Sequence, residues 1–533
     1  MSQVITVHEE VDADRALLGN KGAGLVRMLA SGLRVPPAFV ITTDACRSYL
    51  ATGALPAGLL SAVDGALAEL EARRGLRLGD PEAPLLLSVR SGAPVSMPGM
   101  MDTVLDLGGS AATRPALARR GDPRFALDSH RRFLESFGTV VLGIPQQAFD
   151  AVPDGDPEMR IAAITRLCAE HGFVDDPRAQ LRVAIEAVFR SWNSPRAQAY
   201  RRLQGISDDL GTAVVVQAMV FGNLDDRSGT GVVFTRDPNT GAAALYGDFL
   251  FRAQGEDVVA GRHATLPVAV LADRLPDIWA ELGRVLRALE RQSREMLDIE
   301  FTVESGTLYV LQMRSGKRAA AAAVRIAVEL AQEGVIDRAE AVRRIGAVHL
   351  ERLARPHLDP LGEHHVLATG LGASPGVASG RICLTADDVA DVGDEGAGVV
   401  LTRAETSPSD VHGMAVADGI LTATGGLVSH AAVVARDLGV PAVVGVAGMV
   451  VDEAAGCVRI GDVVLRAGDV VTIDGASGEV VAGRARTVAP AACPELQTLL
   501  GWADELAGGA AGGSPAARLA AGQRALEPVL QGR

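Results

Sequence analysis

The sequence predicts a multidomain protein of mixed α/β and α+β class, and three observations carry that reading. The chain has 533 residues, and at about 100–200 residues per domain it is expected to divide into about three units. Short Val-, Ile- and Leu-rich runs alternate with amphipathic stretches along most of its length. Its make-up, 48% hydrophobic and 22% charged, is close to globular averages and leaves a large core available.

Charge and cysteine usage exclude several classes of partner. The formal net charge is −14 with no lysine- or arginine-rich run, which argues against nucleic acid and membrane surfaces while permitting small anions in a local basic pocket. Five scattered cysteines, Cys46, Cys168, Cys383, Cys457 and Cys493, form no CxxC pair, so neither a disulfide framework nor a zinc cluster is expected. The first residues, MSQVITVHEEVDAD, carry acids and no apolar segment, and no run of about 18 apolar residues follows. A cytoplasmic protein is the expectation.

Patterning divides the chain into five segments. Residues 1–205 mix short strands such as Leu85–Val89 with amphipathic helices over Pro123–Phe137 and Arg178–Trp192. Residues 206–317 turn to β, with runs at Ala213–Val220 and Gly231–Thr235, a long helix near 276–296, and a hairpin over Asp298–Met313. Residues 318–365 read as helices followed by the stiff Arg355-Pro356-His357-Leu358-Asp359-Pro360 connection. Residues 366–485 are a compact unit of strands, glycine turns and one clear helix, and residues 486–533, with one weak helix after Pro490 and a Gly/Ala stretch at 507–513, are expected to be a weakly structured tail.

The helix of the fourth segment starts in a telling way. Leu421–Thr424 reads as a strand, Gly425-Gly426 as a tight turn, and Ser429 as an N-cap for a helix running to Asp437, closed by Gly439 and Pro441. His430 then lies in a first helical turn. The positive helix end disfavours imidazolium there, and unpaired backbone N–H groups can receive phosphate oxygens. The same spacing also suits ordinary strand-to-helix punctuation.

Other residues suggest an anion and a cation site. Lys21 stands in Gly19-Asn20-Lys21-Gly22-Ala23-Gly24, which is not a Walker A loop, and Arg90 ends an apolar strand before a Gly/Pro-shaped loop reaching Met101. Ser228-Gly229-Thr230-Gly231 joins two strands, as a phosphate-covering lid or as a simple hairpin loop. Asp298, Glu300 and Gln312 offer the oxygen ligands that Mg²⁺ takes, with Arg314 two residues on. A three-residue Glu304-Ser305-Gly306 turn sets Gln312 on the acids' face, and a two-residue turn sets it on the other; a shared metal site predicts the former.

Thr424–Arg436, with Glu405-Thr406-Ser407-Pro408 upstream, resembles the phosphohistidine domain of the pyruvate phosphate dikinase and PEP-utilising enzyme family. The runs Lys21–Met28, Ser88–Met101, Ser191–Arg196, Gly229–Pro238, Ala253–Gly261 and Asp298–Lys317 resemble that family's ATP-grasp nucleotide-binding region. Together the resemblance covers about residues 15–485. It implies a swivelling phosphohistidine domain, His430 as the residue that is pyrophosphorylated and phosphorylated, and ATP with Mg²⁺. It further implies phosphate contacts from Lys21, Arg90 and Arg314, a γ-phosphate cover from Thr230 and Gly231 with Glu256 near it, and Mg²⁺ on Glu300 and Gln312 with Asp298 nearby. Val215–Val220 borders the adenine on this reading, and either Arg131 or Arg132 reaches inorganic phosphate.

Departures narrow the expectation. The family continues into a (β/α)₈ barrel for pyruvate or PEP, and about 48 residues follow residue 485. Val428 stands where the family generally has a threonine that a regulatory kinase targets; Arg252 and Met313 replace an asparagine and a threonine. The expected activity is transfer of the ATP β-phosphoryl group to His430, with AMP and pyrophosphate as products and inorganic phosphate as co-substrate. Pyruvate or PEP chemistry is then completed on a barrel supplied elsewhere. A dikinase with another acceptor and a non-catalytic nucleotide sensor are the alternatives.

Overall fold

A computed structural model of the chain describes residues 3–95, 97, 101–153, 155–259, 265–359, 361–362, 364–393, 398–490, 493–509 and 512–526. They fall into two compact units: Met1–Gly229 with Phe251–Gln254 and Phe301–Met313, and Thr230–Leu250 with Gly255–Glu300 and Arg314–Arg533. The mixed α/β, multidomain class expected from the sequence is the one observed. Among the described residues no helix is long and apolar enough to cross a membrane.

The first unit is built on a five-stranded sheet in the order Val4–Thr6, Ala38–Ile41, Ala213–Ala218, Leu87–Gly92, Thr103–Leu107. Each neighbouring pair is antiparallel. All six residues of the central strand Ala213–Ala218 are buried, which is why it reads as an unbroken apolar run instead of an alternating one. Helices Pro123–Val140 and Pro177–Ser191 pack on it. Each is capped by an aspartate, Asp122 or Asp176, that accepts backbone N–H groups of its first turn, and each has proline at its first position. Phe133 and Phe137 from one helix and Ile185 and Val188 from the other enter a single core, where each buried side chain contributes about 1.5–3 kcal/mol.

A second sheet runs Leu266–Pro267, Tyr246–Phe251, Gly229–Phe234, Leu297–Glu304, Thr307–Ser315. The helix Pro276–Ser293 buries Ile278, Leu282, Leu286 and Leu289, a three- and four-residue spacing that makes one apolar face. Arg236, 2% exposed, bonds Glu290 at 2.9 Å, Glu329 at 2.8 Å and Glu333 at 2.8 Å. Its guanidinium thereby fastens the strand's end to the helix Ala320–Gln332 that opens the linker. Where one weak helix and a loose tail were expected there are two helices, Pro494–Leu506 and Pro515–Leu526. Leu499, Leu500, Trp502 and Leu519 share a core with Val324, Leu330 and Val342 of the linker helices. Gly508 and Gly513, between these helices in sequence, take φ 84° and 120°.

The remaining part of the second unit is an eight-stranded sheet ordered Val366–Thr369, Glu479–Ala482, Val470–Asp474, Val377–Cys383, Val399–Arg403, Gly419–Thr422, Ala442–Val444, Leu371–Ser374. The strands from Val377–Cys383 to Ala442–Val444 run parallel, with apolar clusters on both faces. The chain enters by His357–Leu358 and leaves by Thr487–Val488, which pair antiparallel. Asp359 and Arg486 close that ribbon with an ion pair at 3.3 Å.

Candidate functional site

His430 opens the helix His430–Leu438, as its spacing predicts. Ser429 is the N-cap and accepts the Ala432 N–H, and Gly439 closes the helix at φ 69°. The preceding strand is Gly419–Thr422, and Gly425, at φ 108°, makes the turn that no side chain tolerates readily. His430 Nδ1 lies 3.2 Å from Thr406 Oγ1. Burial pushes the imidazole below its ordinary value, and the Asp410 carboxylate pulls the other way. Asp410 itself is buried, accepting from Ser407 N at 2.7 Å and Ser407 Oγ at 2.9 Å.

A residue the sequence did not single out holds the histidine loop. Asp248, on the strand Tyr246–Phe251, accepts the Val428 N–H at 3.2 Å. Burial raises its carboxyl above the usual range, while the N–H groups of Val428 and Leu427 and the Thr265 hydroxyl favour the charged form. Gly426 lets the loop approach closely: a Cβ there would meet Asp248 Oδ2 at 2.4 Å and Thr265 Oγ1 at 2.6 Å, so one side or the other would have to shift. Arg436, 1% exposed, donates to Ala373 O at 2.7 Å and Leu427 O at 2.8 Å, and its guanidinium lies 5.5 Å from the Phe234 ring centre. Val428 packs into the apolar cluster of Val232, Phe234 and Val258, so its lack of a hydroxyl suits its surroundings.

Three charged residues predicted for nucleotide and metal meet in the same unit. Arg314 Nη2 lies 3.1 Å from Asp298 Oδ2 and 2.9 Å from Glu300 Oε1. Burial opposes the Arg314 cation, but Glu300 and Asp298 outweigh it. Burial likewise raises the Asp298 carboxyl, with Arg314 countering. Asp298 Oδ1 is buried without a hydrogen-bond partner, so a carboxylate oxygen is left over for a hard cation. Among the described residues no three His, Cys, Asp or Glu side chains form a ready-made cage. Two carboxylates fit Mg²⁺, which usually keeps much of its shell for water and phosphate oxygens.

The hairpin turn corrects one expectation. Ser305 and Gly306 both take left-handed conformations, φ 47° and 75°, between strands ending at Glu304 and starting at Thr307. This is a two-residue turn, not the three-residue one that a shared metal site called for. Counted out from it, an unbroken ladder sets Gln312 on the face away from Asp298 and Glu300. Arg314 nonetheless reaches both acids, an outcome that strict alternation does not give. Gln312 belongs to the first unit and Glu300 to the second.

Thr230 and Gly231 also differ from expectation. They lie inside the buried strand Gly229–Phe234, not in the loop that precedes it, so ladder pairing engages backbone groups that a lid would need. The Thr230 hydroxyl is 3.8 Å from where a Gly255 Cβ would stand, beside Glu256 in the first turn of Gly255–Val259.

In the first unit Lys21 and Arg90 come from segments that touch. Gly19 breaks the helix Arg15–Ala30 at φ 68°, where a Cβ would strike the Gly92 carbonyl, and Asn20 N donates to Ala93 O at 2.9 Å. Arg90 sits opposite Val215 on the strand Leu87–Gly92. The loop after it lies outside the described residues at Ser96 and Pro98–Met100, as does the end of Ala253–Gly261. Arg131 bonds Asp128 at 2.6 Å and Glu135 at 2.5 Å, and Arg132 bonds Asp128 at 2.8 Å, so both candidates for inorganic phosphate are held by acids. Arg252 adopts φ 51°, a left-handed conformation that asparagine takes more readily, and is held by Asp122 at 2.5 Å and Asp226 at 2.7 Å.

A histidine opens a capped helix in one part of the chain and basic and acidic side chains cluster elsewhere, an arrangement compatible with phosphoryl chemistry, and comparison with known proteins names the family. Residues 15–73 and 52–273 match the family model "Pyruvate phosphate dikinase, AMP/ATP-binding domain", and residues 395–478 match "PEP-utilising enzyme, mobile domain". The chain belongs to the pyruvate phosphate dikinase family of PEP-utilising enzymes. It is 46% identical over 511 residues to pyruvate, phosphate dikinase 2 of Oryza sativa subsp. japonica, covering 92% of this chain and 58% of that protein. With the Rhizobium meliloti (strain 1021) dikinase it is 45% identical over 524 residues, again 92% and 58%. With the chloroplastic dikinase of Flaveria trinervia it is 44% identical over 513 residues, 92% and 54%. The chain thus spans a little over half the length of these relatives.

Proposed function

We propose that the chain is the ATP-dependent, histidine-loading part of a pyruvate phosphate dikinase: an ATP-grasp-like region charges His430, and the domain bearing it swivels to carry the phosphoryl group to pyruvate or PEP chemistry on a barrel. The observation that carries this reading is His430 itself, opening a capped helix with Thr406 at Nδ1 and burial holding it neutral. If Nδ1–H donates to Thr406 Oγ1, the lone pair stays on Nε2, the nucleophile.

Nε2 attacks the β-phosphorus of ATP. The N–P bond forms as the bond to the α-phosphate oxygen breaks, and AMP leaves. Inorganic phosphate then attacks the terminal phosphorus, pyrophosphate departs, and phospho-His430 remains. Lys21 and Arg90 hold phosphate oxygens, Thr230 and Glu256 lie by the terminal group, and Arg314 turns from Asp298 and Glu300 to the phosphates. Asp298 and Glu300 are the residues that would hold Mg²⁺, which when bound would neutralise phosphate charge. Positioning and charge neutralisation carry most of the rate.

The test is incubation with β-labelled ATP, Mg²⁺ and phosphate. Acid-labile label on the wild type and none on His430→Ala is expected; no label on either, or equal label on both, defeats the proposal.

A further inference from the structure

Both ends of the histidine helix are gripped by residues outside the stretch that matches the mobile domain, residues 395–478. At the C-terminal end the grip is wholly cationic. Arg352 Nη2 donates to Leu438 O at 2.7 Å, Arg355 Nη1 to Gly439 O at 2.8 Å, and Lys317 Nζ lies 2.6 Å from Asp437 Oδ1. Leu438 O is the last carbonyl of the nine-residue helix and Gly439 O that of its cap, groups at the end that carries the helix's partial negative charge.

The fit is close as well as charged. A Cβ on Gly439 would lie 2.3 Å from Arg352 Cζ, so the guanidinium lies flat against the one residue that leaves room for it. Burial and the adjacent Arg355 both push Arg352 below its ordinary value, so the two arginines sit together at a cost that the helix end offsets. Arg355 is exposed and Arg352 half-buried, so solvent and salt can reach these bonds. Arg352 and Arg355 belong to the linker segment and Lys317 immediately precedes it; Arg236, just past the strand Gly229–Phe234, pairs with Glu329 of that segment's first helix.

We propose that Lys317, Arg352 and Arg355 form a detachable electrostatic seat for the C-terminal end of the helix His430–Leu438, whose grip sets how long His430 stays where it is charged. The second half of this statement rests on the phosphotransfer reading; the seat itself does not. Its ligand is a helix terminus of the same chain, recognised by carbonyl oxygens and one carboxylate.

The test is hydrogen exchange of residues 427–440 in the full chain without nucleotide. In the double variant Arg352→Gln, Arg355→Gln, exchange there rises about tenfold at low salt, while the wild type reaches a similar rate only at about 0.5 M salt. Gly439→Ala, which expels Arg352, shifts exchange the same way, and Arg355→Lys, which keeps the charge, shifts it less. Exchange of Gly419–Thr422 stays at its wild-type value. Unchanged exchange at 427–440, or a rise spread equally over Gly419–Thr422, overturns the seat. A wild type that takes no label from β-labelled ATP yet shows the salt-dependent exchange overturns the phosphotransfer reading and leaves the seat in place.

Discussion

Thr406 is one methyl-for-hydroxyl exchange away from a clean experiment. Thr406→Val keeps the shape and removes the oxygen 3.2 Å from His430 Nδ1. Loading of His430 is expected to fall about 10- to 100-fold in rate with little change in ATP affinity, and Thr406→Ser is expected to restore most of it. Because burial lowers the His430 pKa, neutral imidazole persists to more acid pH than the ordinary 6.5 allows. The acid limb of the loading rate is therefore expected below that value, read by quenched labelling across pH. His130 bears on stability instead. It is 6% exposed, its Nδ1 has no hydrogen-bond partner, and burial pushes its pKa down to about 4. The unfolded chain binds this proton first, so the stability held above pH 6.5 is lost as pH falls toward 4, by about 3 kcal/mol in all. Denaturant midpoints of His130→Phe are expected to show a correspondingly shallower decline over that range. Residues of this kind divide sharply in legibility. Lys21, Arg90 and His430 stood out because glycine turns frame them in the sequence. Asp248 did not, since what marks it is contact with Leu427 and Val428, some 180 residues away.

The histidine helix, at nine residues, is too short to be stable alone, and its ends decide its position. Ser429→Ala removes the cap and is expected to cost about 1 kcal/mol, measured by thermal unfolding. Gly426→Ala is expected to displace the loop from Asp248 and Thr265, lowering loading without preventing folding of the eight-stranded sheet; circular dichroism and labelling together check this. Helices were predicted well where amphipathic spacing announces them, as over Pro123–Phe137 and Arg178–Trp192. The hairpin at Ser305-Gly306 and the strand holding Thr230 and Gly231 were not. A turn one residue shorter, or a strand starting two residues earlier, leaves composition unchanged while altering which face and which backbone groups are available. After Pro490 one weak helix was legible, but the second helix and the packing of both were not, because the glycine- and alanine-rich run resembles a flexible end, whereas Leu499, Trp502 and Leu519 take their partners from residues 324–342.

At the scale of the molecule those C-terminal helices complete the linker's core, so a chain ending at Pro490 is expected to unfold at a temperature several degrees lower, as ΔΔG of a few kcal/mol implies. An unchanged melting temperature would contradict their place in that core. The linker helices are thus half of a bundle whose other half arrives after the entire eight-stranded domain has been made. Its two ends meet in the ribbon His357–Leu358 and Thr487–Val488, clasped by Asp359 and Arg486. A segment whose first and last residues lie side by side is topologically a cassette: it can be lifted out and the gap bridged by a short loop without rerouting either neighbour. The domain carrying His430 is accordingly suited to production by itself, as an acceptor to be phosphorylated in trans by the chain from which it was removed.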